Sequence, residues 1–239
     1  MFEIRQRANG LDMSFSSTLE NIDRADKETK GFLYKMGIDS EAFAIRLVMR
    51  EGTLNAVKHG NLGDSRKIIK YGLQLEENSI IIEIEDEGKG FDWSAHVGKE
   101  PALSSDSGRG LTIMRTYCTG IEYNPPGNRL VLRKEIGERE GEVLASEIAG
   151  EEDQAIVRPG RDIVASTAPA FRKKLLCLVE AGTKELVIDL AGVEMVDSDG
   201  LAALIDIHDS LREAGGRLTV TNVSKDIYDL FKNCTRILQ

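Results

Sequence analysis

Glu51, Asn55 and His59 recur at intervals of four, which stacks the three side chains on one side of a helix, away from a Leu47 and Leu54 stripe. A carboxylate and an amide held this way can share one small polar site. The amide oxygen suits a hard cation such as Mg²⁺, which keeps water and phosphate oxygens as its other ligands. A carboxylate one turn away can take a proton from an attacking hydroxyl. A solvated helix face would show the same spacing. Farther along, the run IIIEIEDEGKGFD ends in Asp86, followed by Gly88 and Gly90. A carboxylate at a strand end can accept hydrogen bonds from an exocyclic amine such as that of adenine, and the glycines let backbone approach a flat ring; a plain hairpin turn has the same composition. Ser107 to Leu111, read SGRGL, places Arg109 between Gly108 and Gly110 at the head of a helix. Amides exposed there can hold phosphate oxygens, or they can simply begin the helix. A fourth cluster, Asp197-Ser198-Asp199-Gly200, puts a hydroxyl between two carboxylates, although helix capping accounts for any one of these residues.

These residues need elements to hold them. Leu11 to Thr18 reads as a strand and Leu19 to Met36 as a helix stopped by Gly37. Ser40 suits the N-cap of a second helix with apolar positions at Phe43, Leu47, Leu54 and Val57. Two strands, Lys67 to Leu75 and Ser79 to Asp86, are joined by a short turn. A polar loop leads to the helix GRGLTIMRTYC, and Asn128 to Glu135 forms a last strand after the PPGN turn. This order describes an α/β sandwich with a mixed sheet. After an acidic stretch beginning near Gly137 to Gly141, Gly141 to Ile148 and Gln154 to Arg158 read as a hairpin. Helices over Thr167 to Ala181, Leu201 to Ala214 and Asp226 to Lys232 then alternate with strands over Glu185 to Leu190 and Leu218 to Thr221. That alternation implies a second, smaller α/β domain, with boundaries at 1–137 and 141–239.

Composition narrows the classes. With 41% hydrophobic and 30% charged residues over 239 positions, the chain resembles neither a disordered nor a membrane protein. No apolar run approaches bilayer length, and MFEIRQRANG lacks the apolar core of a signal peptide, so a cytoplasmic protein is expected. Three dispersed cysteines exclude a disulfide framework, and three unclustered histidines argue against zinc. The net charge of −9, most of it carried after Gly137, leaves no basic footprint for nucleic acid.

In their order and spacing, ExxxNAxxHG, DxGxG and a GxGL after a polar loop resemble the Bergerat-type ATP-binding fold of the gyrase and histidine-kinase superfamily. More narrowly they look like the bacterial anti-sigma-factor serine kinases, over about Leu11 to Glu135. The resemblance implies Glu51 as general base, Asn55 as the Mg²⁺ ligand and Asp86 as the reader of adenine. It also implies that Gly88, Gly90, Gly108, Arg109, Gly110 and Leu111 shape the nucleotide pocket and its lid. The stretch MRTYCTGIEYN departs from the resemblance, since many relatives carry an acid near Thr119, beyond the phosphates, which bears on partner contacts more than on ATP. The block from about Glu142 to Phe231 resembles STAS domains, the anti-sigma-factor antagonists, whose D-S-x-G loop is phosphorylated; Ser198 matches that acceptor, and Asp199 replaces a second hydroxyl.

Together these resemblances imply an ATP- and Mg²⁺-dependent protein serine kinase that phosphorylates a STAS serine, its own Ser198 or a partner's. They further imply a sigma factor or other regulatory protein and STAS antagonists as partners, and self-association into a homodimer. The alternative is a non-catalytic ATP-binding regulator whose STAS half is a tethered decoy.

Overall fold

The computed structural model describes residues 1–90, 109–136 and 154–234. Its chain divides into two compact units, Met1–Arg139 and Glu140–Gln239.

In the first unit, β1 (Phe2–Arg7), β2 (Gly10–Ser16), β3 (Ile68–Leu75), β4 (Ser79–Asp86), β5 (Gly120–Tyr123) and β6 (Arg129–Glu135) form one sheet in the order β1-β2-β3-β4-β6-β5. Three helices accompany it: α1 (Leu19–Lys35), α2 (Ala42–Asn55) and α3 (Arg109–Tyr117). Alternation fixes which face is buried. Leu11, Met13 and Phe15 lie opposite Leu73, Tyr71 and Ile69, and Ile82 and Ile84 lie opposite Leu132 and Leu130. All of these are buried. The period of two that buries Ile80, Ile82 and Ile84 carries Asp86 to the same face, at the end of its strand. On the other face the charges pair across strands, Lys70 with Glu85 at 3.1 Å and Arg129 with Glu83 at 2.6 Å.

Every pair in this sheet is antiparallel, not mixed as the sequence suggests. Two helices separate β2 from β3, and an even number of helices returns the chain in the opposite sense. β4 and β5 run in the same sense, but β6 inserts between them and opposes both. Sequence reading also misses β1, whose polar residues conceal it, and the short β5.

Helix α2 is buried over nearly its whole length, so its polar residues do not form a solvated face. Ser40 is not its N-cap: it sits within a 3₁₀ turn, Asp39–Glu41, and α2 begins at Ala42. Asp26 of α1 receives two hydrogen bonds of 2.8 Å from Arg46, and Arg50 donates to Asp23 at 2.9 Å. Asp26, Arg46 and Arg50 are all buried, which ties α1 to α2 through charge as well as apolar packing.

The second unit holds β7 (Gln154–Val157), β8 (Glu185–Asp189) and β9 (Arg217–Thr221), parallel and in that order. Single helices, α4 (Ala168–Glu180) and α5 (Ser198–Glu213), make the crossovers, as parallel neighbours require. Helix α6 (Lys225–Cys234) follows β9, with Ile227, Leu230 and Phe231 buried. The expected strand over Gly141 to Ile148 lies outside the described residues.

Candidate functional site

Where α2 ends, the chain widens into a π-helical turn, Ala56–Gly60, closed by a 2.7 Å bond from the Asn61 amide to the Ala56 carbonyl. Such turns insert one residue into a helix and recur at functional sites. Here the turn brings Gly60 to the end of β4, and His59 lines the cavity beside it. A Cβ on Gly60 would collide with the Asp86 carboxylate, and one on Gly88 would collide with the Gly60 carbonyl. Two chain segments therefore close directly on Asp86. Gly90 adopts φ +76°, and a side chain there would run into the Pro126 carbonyl, so only glycine meets both demands.

These elements line a cavity of about 670 Å³ in the first unit. Asn55, His59, Gly60, Asp86, Gly90 and Leu111 contribute to it, together with an apolar wall from Ile84, Met114, Ile121 and Leu130. Asp86 accepts a 2.7 Å hydrogen bond from the Gly88 amide through Oδ1. Burial pushes its carboxyl above the usual value, against the lowering effect of that bond. Burial also raises the Cys118 thiol to about 11 and, with Asp86 nearby, the Tyr123 phenol to about 12. Both groups are neutral at physiological pH, so among the described lining residues Asp86 is the one carboxylate, beside a largely apolar wall. An uncharged ring bearing an amine suits it.

Glu51 sits apart from the cavity lining. Its side chain is buried, and a Cβ on Gly110 would come 2.6 Å from its Oε2. Asn55 borders the same glycine and does line the cavity. The helix spacing thus brings Asn55 and His59 into the cavity and leaves Glu51 beneath the first turn of α3. Arg109 and Gly110 open α3, whereas Gly108 lies outside the described residues. Thr119 lines the cavity, so its departure from an acid falls within this site and not only on a partner surface. Sequence reading overlooks Gly60 and Asn128. The dipeptide His59-Gly60 and the PPGN turn were the available signals, but neither reveals that its residue touches Asp86.

The profile of the histidine kinase-like ATPase domain family matches residues 15–134, half of the chain. The chain belongs to this family. A STAS domain, matched over residues 145–235, follows the kinase-like ATPase domain in the same chain. Among relatives, the anti-sigma F factor of Clostridium perfringens is 25% identical over 137 residues, covering 54% of this chain and 97% of that protein. The anti-sigma F factor of Bacillus cereus is 27% identical over 120 residues, 48% of this chain and 82% of that protein. A solved structure described as a crystal structure analysis of Mglu overlaps 48% of this chain and 38% of its own at 14% identity. Its TM-score of 0.29 is too low to bear on the fold.

Within the STAS domain, the Asp197 to Gly200 cluster divides into buried scaffold and a partly covered serine. Asp197 caps α5: its Oδ1 accepts from the Asp199 and Gly200 amides at 3.1 and 3.0 Å, and its Oδ2 accepts from the Ala165 amide at 2.8 Å. It is fully buried. A Cβ on Gly200 would strike the Ile163 carbonyl. Both residues are therefore explained by structure, as capping predicts. Ser198, the first residue of α5, is only partly covered. Among the described residues no helix is long and apolar enough to cross a membrane, and no group of three or more His, Cys, Asp or Glu could hold a metal ion.

Proposed function

We propose that the protein is an ATP-dependent protein serine kinase of the partner-switching type, with residues 1–137 as kinase domain and 141–239 as STAS domain. The observation that carries this reading is the cavity closed around Asp86. The Asp86 carboxylate suits the amine of adenine, the apolar wall suits the ring, and Asn55 stands toward the start of α3. Leu111, Arg109, Gly110 and the preceding Gly108 are assigned to the triphosphate, where the amides at a helix start attract anions. A magnesium ion fits Asn55 as its one protein ligand because an amide oxygen leaves the other positions to phosphate and water. When bound, it neutralises phosphate charge. Glu51 takes the proton from a serine hydroxyl, the hydroxyl oxygen bonds to the γ-phosphorus, and the bond to the β-phosphate oxygen breaks in line to release ADP. The acceptor is Ser198 of this chain, of a second copy, or the matching serine of a separate STAS antagonist. The regulated partner is a sigma factor or similar protein, in keeping with the anti-sigma F factors that resemble this chain, and homodimers are part of the same reading.

One observation favours a second reading, nucleotide-gated binding without transfer. The Glu51 carboxylate is 1% exposed and lies off the cavity wall. The two readings part on one experiment: incubation with ATP and Mg²⁺, followed by phosphate mapping by mass spectrometry in wild type, Glu51→Gln and Ser198→Ala, with and without an added STAS antagonist. Phosphate on serine in wild type, lost in Glu51→Gln, supports the kinase. Nucleotide binding without any serine phosphate supports the regulator.

A further inference from the structure

We propose that Asn128, oriented by Asn124, is a positioning residue that makes the nucleotide cavity selective for adenine over guanine by holding Asp86 in place. This rests on the reading of the cavity as an adenine-nucleotide site.

A carboxylate can read a base only if its own direction is fixed, because amine and carbonyl edges differ by the placement of one donor. Asp86 is paired with β3, opposite Ile69, but its other edge lacks a strand partner. It is the last residue of β4, and the ladder to β6 ends one step earlier, at Glu85 opposite Arg129. The turn that follows replaces the missing strand. The Asp86 amide donates to the Asn128 carbonyl at 2.9 Å, and the Asn128 side chain donates from Nδ2 to the Asp86 carbonyl at 3.0 Å. A side-chain amide thus completes the pairing that backbone would provide inside a sheet.

Asn128 is itself keyed. Asn124 Oδ1 accepts from the Gly127, Asn128 and Arg129 amides at 2.9, 3.0 and 3.0 Å, which closes the turn. Its Nδ2 donates to Asn128 Oδ1 at 2.9 Å, and that bond dictates which way the Asn128 amide faces. From the opposite side, fully buried Asn61 accepts from the Glu87 amide at 3.0 Å, so the residues flanking Asp86 are held at both ends. With Oδ1 receiving the Gly88 amide, the free direction of the carboxylate is Oδ2, which takes no hydrogen bond among the described residues. An exocyclic amine can donate to it. A guanine carbonyl in the same place would meet a second acceptor.

The test compares ATP and GTP binding by calorimetry, with Mg²⁺, for the full chain and for Asn128→Ala, Asn124→Asp and Asp86→Asn. Asn124→Asp keeps the oxygen that closes the turn and replaces the donor to Asn128 Oδ1 by an acceptor, which favours turning the Asn128 amide round, so it probes orientation in a folded turn. Asn128→Ala is expected to weaken ATP about tenfold, the scale of one lost hydrogen bond, while GTP changes by less than about twofold. Asn124→Asp is expected to reduce the ATP-to-GTP preference by about threefold, and Asn128→Ala to add nothing once Asp86→Asn is present. Equal losses for both nucleotides, or an unchanged preference in Asn128→Ala and Asn124→Asp, would overturn the positioning role alone. Failure of the wild-type chain to bind ATP would instead remove the nucleotide reading of the cavity, and this inference with it.

Discussion

Two aspartates end strands in this protein, and their surroundings drive them in opposite directions. Asp86 is pushed up because half-burial outweighs a single amide donor. Asp189, at the end of β8, is held down at about 2 by hydrogen bonds from Asn222, Arg158 and the Ala191 amide. The consequences for stability have opposite signs. A depressed carboxyl favours the folded state above the ordinary carboxylate range, and that contribution is lost as pH falls from near 4 towards 2. Acid unfolding of the STAS domain, followed by circular dichroism, should therefore show a slope in that window that Asp189→Asn flattens. A raised carboxyl favours the folded state below the ordinary range and opposes it once pH passes the folded value. Asp86→Asn should thus raise the melting temperature of the kinase-like domain at pH 7 while weakening ATP binding by about 10- to 100-fold. A carboxylate retained against its own stability cost is what a binding residue looks like.

At the scale of elements, the sequence revealed most where one period dominated. The apolar alternation of β3 and β4 could be read directly, and its continuation marks Asp86 as core-facing. The all-antiparallel order was hidden because neighbour relations depend on how many helices intervene between strands, which local pattern does not encode. The π-helical turn was equally hidden: ordinary helical spacing places Glu51, Asn55 and His59 in one row, whereas the inserted residue brings Gly60 against Asp86 and Glu51 lies buried beneath α3. Close backbone approaches make the strongest mutational forecasts here. Gly200→Ala would drive a methyl into the Ile163 carbonyl and should destabilise the STAS domain by about 2 kcal/mol in denaturant unfolding. Asp26→Ala would remove the carboxylate that Arg46 grips from α1 and should cost the kinase-like domain about 3 kcal/mol.

For the molecule as a whole, joining a kinase-like ATPase domain to a STAS domain places both halves of a potential phosphotransfer in one chain. Transfer within a chain proceeds at a rate independent of concentration, whereas transfer between copies slows on dilution. A dilution series of purified protein with ATP should separate them by the initial rate of Ser198 labelling. The feature that decides what such labelling would achieve is Asp197. Its two oxygens already occupy the Asp199 and Gly200 amides of α5 and the amide of Ala165, so a phosphate ester on Ser198 would have to compete with a buried carboxylate for those three donors. Set between Asp197 and Asp199, the added charge would alter what an approaching protein meets at the head of α5.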